Sequence, residues 1–389
     1  MTSTKKILLS PPDLCFLGKN AATIQFLLTY PGKLDATRLQ SSLDDCLVDF
    51  WPIASQIEMK DGTPYFVGSS TPRITIQSTT IDNEPDVSDS RIAASFTSDI
   101  DSLPGAPLAA FNLTHTPSRS LLGVSISHTI VDGYSYFYFL NCWSACFHKR
   151  EYALPKHDRH LLIPSLKQQG SFSPERDFQK LTGFAFADIR PTYSARETIW
   201  ETVHYSRDDL DKLTTEHGSR ELSLNDLLTA DLWIRYVPKW NDASDRVTVI
   251  CPMDCRRLKR DLGSTYFGNL IRGVSTAVLC KDLMDRPLSE TATMIRTSMS
   301  QINLASVEEA FLAMQSLWFS GGFEAVSRVH VAHPMNGFLV TNMSRLDVKG
   351  IDFGLGAPIS VATPAPAKRI ATVLPHPNGL CVQVSLPSA

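Results

Sequence analysis

The chain has 389 residues, 37 basic and 40 acidic side chains, a net charge of −3 and a hydrophobic content of 43%. That is enough chain for two or perhaps three domains, with the composition of an ordinary water-soluble globular protein. No basic block marks a nucleic-acid surface, no apolar run is long enough to span a bilayer, and MTSTKKILLSPPDL is too weakly apolar for a signal peptide. The eight cysteines, at 15, 46, 142, 146, 251, 255, 280 and 381, include no Cys-x-x-Cys pair, and the two close pairs have no histidine at zinc spacing. They read as buried free thiols. No metal site is expected, and the expected location is the reducing cytoplasm.

In chain order, residues 5–30 read as strand material interrupted by a Pro11-Pro12 turn. Leu34 to Phe50 reads as an amphipathic helix, with Leu34, Leu39, Leu43, Cys46 and Leu47 near one face and Asp35 as its N-cap. Trp51-Pro52 ends it. Asp61-Gly62 marks a hairpin turn, and 82–89 is a polar, acidic surface loop. A short strand, Leu108 to Leu113, then leads into the stretch on which the chemistry centres, Leu121 to Phe147. Here Leu122, Val124 and Ile126 alternate with Gly123, Ser125 and Ser127, the period of a half-buried strand. The run stops at His128, and Gly133 suits a sharp turn. Tyr136, Leu140, Trp143 and Phe147 then share one helix face. A histidine held at the end of a core strand is well placed to act as a general base; the competing reading is a hydrogen-bonded core histidine.

A second His-x-x-x-Asp, His204 to Asp208, serves as an internal comparison. There Ser206 reads as a helix cap, with Asp208 and Asp209 in the first turn, and no chemistry is needed. Residues 149–196 mix charge, proline and glycine and read as a connection, with His157 and His160 solvated. The second half starts near Glu197. Thr198 to Tyr205, Val247 to Pro252, Gly337 to Met343, Ala371 to Leu374 and Leu380 to Leu386 read as strands. Asp208 to His217, a long helix capped by Ser223, and a helix opened by Ser289 lie among them. Strands and helices interleave in both halves, so the class is α/β.

Several patches together resemble the BAHD acyl-CoA-dependent acyltransferases. His128-Thr-Ile-Val-Asp132-Gly133 matches that family's His-x-x-x-Asp-Gly, and Asp352-Phe353-Gly354-Leu355-Gly356 matches Asp-Phe-Gly-Trp-Gly except at Leu355. Tyr266-Phe267-Gly268-Asn269 matches a family tetrapeptide, and Asp254-Cys255-Arg256 is close to its Asp-x-Arg segment. LSPPD and FWPIASQIEMKDG are weaker matches. Thr341-Asn342-Met343 takes the place of a Thr-Ser-Trp segment. Both family tryptophans are thus replaced here, by Met343 and Leu355.

The resemblance implies a two-domain fold of the chloramphenicol-acetyltransferase type, with mixed sheets flanked by helices and a channel between the domains. The expected division is 1–165, a crossover at 166–196, and 197–389. It implies direct transfer of an acyl group from acyl-CoA, as co-substrate and with no resident cofactor, to a hydroxyl or amine of a small, specialised metabolite. His128 is then the general base. Asp132 is an orienting residue paired with an arginine: Arg256 first, Arg257 or Arg260 second. Thr341 is the candidate oxyanion donor, and Gly133, Arg256, Asp352, Gly354 and Gly356 are structural. A monomer is expected. The alternatives are a carrier-protein-dependent condensation enzyme, or a cyclase or binding protein on the same scaffold. A kinase, which DFG alone could indicate, lacks its Gly-rich loop and His-Arg-Asp segment here.

Overall fold

The computed structural model describes residues 4–18, 22–164, 172–188, 200–364 and 368–387. Two mixed sheets flanked by helices dominate it. The first runs in the order Ser360–Ala362, Thr23–Pro31, Arg119–Ser127, Ala109–His115 and Gln77–Thr80. The second runs Ile271–Leu279, Arg246–Asp254, Gly337–Asn342, Ile370–His376, Gly379–Ser385 and Trp200–Ser206. Gly337–Asn342 is parallel to both its neighbours, and the other pairings in that sheet are antiparallel. Among the described residues no helix is long and apolar enough to cross a membrane.

The first sheet packs against a helix, Gly133–Phe147, whose Tyr136, Leu140, Trp143 and Phe147 are all buried, as the spacing predicts. The helix is apolar nearly all round because a second helix, Ala36–Leu47, covers another side of it. Asp35 caps that second helix by accepting from the Arg38 amide. The second sheet packs against Leu224–Tyr236 and Leu288–Ser300, whose Leu228, Trp233, Ala292 and Ile295 share one core with Val249, Phe338 and Val373. Elements from late in the chain reach across to the first half. Ser360–Ala362 adds an antiparallel edge strand to Thr23–Pro31. The helix Leu304–Val326 packs on a one-turn helix, Pro11–Leu14, and on Pro174–Thr182.

The central strand differs from its expected half-buried form. Arg119–Ser127 is buried on both faces from Ser120 onward. The small side chains at alternate positions face a chain segment that crosses them at close range. Ser125 Oγ accepts from the Ser98 amide at 2.9 Å, and the Ser102 and Ser127 hydroxyls bond at 2.6 Å. A Cβ on Gly123 would lie 1.9 Å from the Phe96 carbonyl oxygen. Backbone cannot give way there as a flexible side chain could, so Gly123→Ala should destabilise the protein by about 1–3 kcal/mol, the range for overpacking. A urea midpoint equal to the parent's would contradict this.

Other differences have local causes. Pro11-Pro12 opens the Pro11–Leu14 helix instead of a turn, because proline fits the first helical positions and Ser10 and Asp13 form a capping box. The stretch read as an unstructured connection contains the helix Pro174–Thr182, closed by Gly183 at φ 75°. His157 is not solvated: its Nε2 lies 2.9 Å from the Asp49 carbonyl, and burial, with Arg159 nearby, lowers its pKa to about 4. His160 is exposed, as expected. The helix Leu304–Val326 and the strand Ile271–Leu279 are additional elements. Glu197 and Thr198, where the second half was expected to begin, lie outside the described residues. All eight cysteines are free thiols, six of them buried.

Candidate active site

Strand Arg119–Ser127 ends where its register with Thr23–Pro31 ends, and the next residue, His128, is anchored by its amide to the Ala22 carbonyl at 3.0 Å. Thr129 ties the following turn down by donating to the Phe16 carbonyl at 2.6 Å. Asp132 is then the N-cap of Gly133–Phe147, accepting from the Ser135 amide at 2.8 Å. Gly133 is the first helical residue and is not among the glycines with positive φ. Its expected role in a sharp turn is therefore not seen. A Cβ there would make ordinary contact with Met343 Cε at 3.4 Å, on the wall of the cavity described below.

Asp132 is 1% exposed and Arg256 7%, and they form a two-pronged ion pair at 2.8 and 3.1 Å. Of the three arginines considered, Arg256 is the partner. Leu270 also donates its amide to Asp132 Oδ2, at 3.0 Å. Burial pushes the Asp132 carboxyl up, but the charge and hydrogen bonds of Arg256, with the Ser135 and Leu270 amides, outweigh it and hold the group below its ordinary value. Arg256 also donates to Ser135 Oγ, the Gly268 carbonyl and Asp254. None of the carboxylate's hydrogen bonds goes to His128.

The imidazole of His128 is held by a different set of residues. Its ring stacks on Phe16, centroids 3.8 Å apart and planes 9° from parallel. Nδ1 lies 3.2 Å from Asn269 Oδ1. The amide nitrogen of Asn269 donates to Asp13 Oδ1 and to the carbonyls of His128 and Thr129, at 2.8, 2.7 and 3.2 Å. That commitment fixes the amide's orientation, so Oδ1 is the atom presented to the ring. His128 must then donate from Nδ1, which leaves the lone pair on Nε2. Asp13 is fully buried and pairs with Arg159, itself 1% exposed, at 2.9 Å. Arg159 in turn reaches the Ile130 and Phe267 carbonyls. Asp13, Arg159 and the role of Asn269 were missed in the sequence. LSPPD and the Tyr-Phe-Gly-Asn patch were the available signals.

Burial lowers the pKa of His128 below its ordinary value, opposed by a hydrogen bond to its own backbone and then by Asp132, Asn269 and Asp13. If its neutral form is required, kcat/KM should fall only below about pH 6.5, the unperturbed histidine value. Removing Asn269 deletes one of the opposing contributions. Asn269→Ala should therefore move the acid limb lower still, and lower kcat by about 10²-fold through misplacement of the ring. An acid limb above pH 6.5 in the parent would contradict the assignment.

His128 lines a cavity of about 230 Å3 between the two sheets, together with Asp132 and Arg256. The second sheet contributes Leu339, Thr341, Ile370 and Thr372. Thr341 lies on Gly337–Asn342, in register with Thr372, so the structure brings it into the same cavity as His128. Met343, one tryptophan replacement, also lines it; Leu355, the other, is 37% exposed and stands outside.

Asp352, Gly354 and Gly356 are not in the cavity. Asp352 Oδ1 accepts from the Gly354 and Gly356 amides at 2.7 and 2.9 Å, closing a turn in which both glycines have positive φ. Phe353 is buried against Trp143, and Ser144 Oγ and His148 bond the Asp352 carbonyl. This turn pins the second half of the chain to the Gly133–Phe147 helix. His204 is exposed, and Ser206 caps Arg207–His217 with Asp209, so the second His-x-x-x-Asp is a helix start. Among the described residues no group of His, Cys, Asp and Glu is arranged to hold a metal ion.

A model of the family described as "Transferase family" matches residues 28–389. Similar curated proteins include hydroxycinnamoyltransferase 2 of Oryza sativa subsp. japonica, 24% identical over 90% of this chain and 84% of that protein. They also include a malonyl-CoA:anthocyanidin 5-O-glucoside-6''-O-malonyltransferase of Arabidopsis thaliana, 24% identical over 84% and 77%. Among solved structures, TRI101 of F. graminearum with coenzyme A and deoxynivalenol superposes with a TM-score of 0.77 at 18% identity, covering 99% of this chain and 95% of that one. Vinorine synthase gives 0.68 at 18% identity, with the same coverages.

Proposed function

Because the chain belongs to the BAHD family of acyl-CoA-dependent acyltransferases, we propose that His128 is the general base for direct transfer of an acyl group from acyl-CoA to a hydroxyl or amine of a small metabolite. The enzyme is an O- or N-acyltransferase that takes acyl-CoA as co-substrate. The observation that carries the assignment of the base is the Asn269 contact, which leaves His128 Nε2 with the lone pair in a cavity between the sheets.

The steps follow from that tautomer. Nε2 takes the proton of the acceptor's O–H or N–H as its heavy atom attacks the thioester carbonyl. The carbonyl π electrons move onto oxygen, where the Thr341 hydroxyl can donate a hydrogen bond to the developing oxyanion. Collapse re-forms the carbonyl and breaks the C–S bond. The thiolate of CoA leaves with that electron pair and takes the proton now on His128, so free CoA departs and the base is restored. Asp132 and Arg256 touch no reacting atom in this scheme; they fix the turn that carries His128 and the loop that carries Asn269. Asp352, Gly354 and Gly356 act on the fold alone, and the enzyme works as a single chain in the cytoplasm.

The test is a mass-spectrometric screen of hydroxyl- and amine-bearing metabolites against several acyl-CoAs. The expected result is acylated product formed together with free CoA. Transfer only from an acyl group carried on a protein would replace this reading with the carrier-dependent one.

A further inference from the structure

The charged groups on the cavity wall are few and already committed. Among the described residues they are Asp132, Asp254 and Arg256, so two carboxylates face one guanidinium and leave one net negative charge. Arg256 has no free prong to offer a ligand. Its Nη1 is spent on Asp132 and Asp254, and its Nη2 on Asp132, Ser135 Oγ and the Gly268 carbonyl. Its Nε has no partner, but it is buried. The N-terminus of Gly133–Phe147 would attract an anion, yet Asp132 already caps it.

The polar side chains on the wall are likewise mostly used within the protein. Gln25 bonds Asp99 and Thr97, Thr23 bonds the backbone of Ile100, and Asn342 bonds Asn225 and the Ser344 amide. What remains is a mainly apolar surface that includes Leu339, Leu346, Ile271, Ile370 and Phe184, with threonine hydroxyls at 341, 363 and 372. Such a wall compensates a hydrocarbon skeleton by burial. Among the described residues it offers a carboxylate no uncommitted cation, only hydroxyls, which do not offset the desolvation of a charge.

We propose, on the reading that this cavity is where the acceptor is acylated, that the acceptor is an uncharged molecule with a largely hydrocarbon skeleton. The cavity selects against acceptors that carry a carboxylate. This restricts the class of metabolite far more tightly than the reaction does, because the chemistry at His128 needs only an O–H or N–H.

The experiment uses matched pairs: ring-hydroxylated carboxylic acids and their methyl esters, at neutral pH, with the full chain. Binding is measured by calorimetry and turnover by CoA release from acetyl-CoA. The ester of each pair should bind at least about tenfold more tightly than the acid, a modest share of the cost of burying an unpaired charge. Asp254→Asn removes the excess negative charge and should narrow that ratio. Acids that bind as tightly as their esters, or pairs of which neither member binds, would overturn the proposal. Esters that bind more tightly but are never acylated would uphold the selectivity and count against the acyl-transfer reading alone.

Discussion

Replacing His128 by alanine should lower turnover by roughly 10²–10⁴-fold, the contribution of a positioned acid–base group, and leave the fold intact. The ring stands on the cavity wall and is not enclosed on every side by core, so its removal enlarges a space that already exists instead of opening a sealed void. The cost falls on chemistry, since among the described residues no other titratable group on that wall is free to take the acceptor's proton. Asp132 and Asp254 are paired with Arg256. His204→Ala is the control. It alters the other His-x-x-x-Asp on an exposed strand, and turnover should stay within twofold or so of the parent's. A His128→Ala enzyme with parental turnover would return the motif to a structural role.

Asp132→Asn should cost up to about 3–5 kcal/mol of stability, because it leaves the buried Arg256 charge with only the half-exposed Asp254 in place of its buried partner. Shape is nearly conserved, so the loss reads the charge and not a cavity. In the parent, the folded carboxyl sits below its ordinary value. Its stabilisation is therefore complete above the ordinary carboxylate range and fades as pH falls through the lowered value. The gap in urea midpoint between parent and variant should accordingly be widest near neutral pH and shrink in acid. Activity should drop as well. Asp132 Oδ2 holds the Leu270 amide, next to Asn269, and Asn269 sets the tautomer of His128. Unchanged melting with lost activity would point instead to direct chemistry at Asp132.

The strand, turn and helix of 121–147 were readable because two periods, 2 and 3.6, adjoin in one short run around a histidine and an aspartate. Arg256 was readable through the resemblance alone, since Asp254-Cys255-Arg256 is close to the family's Asp-x-Arg segment and the family pairs its motif aspartate with an arginine. The Asn269 contact was not readable in the same way. It joins residues 141 positions apart, and an asparagine carries no periodic or charge signal. Asp13 and Arg159, 146 positions apart, were hidden for a further reason. Arg159 sits in a charged, proline-bearing stretch that looks solvated until the Asp13 carboxylate is brought to it. His157 was misread for the same cause, since its burial comes from packing against Trp51 and Phe267. The long helix Leu304–Val326 escaped because it is apolar on most sides and is broken at Gly322, where φ is 55°.

The central claim is that His128 activates the acceptor and that no acyl group rests on the protein. Intact-protein mass spectrometry after mixing with acyl-CoA, with and without acceptor, tests it most directly, with released thiol followed in the same samples. Without acceptor, the protein mass should stay unchanged and no stoichiometric burst of CoA should appear. Adding acceptor should start CoA release while the protein mass remains that of the free chain. A stoichiometric burst without acceptor, with the protein heavier by one acyl group, would contradict the account and place a covalent acyl-enzyme in its stead.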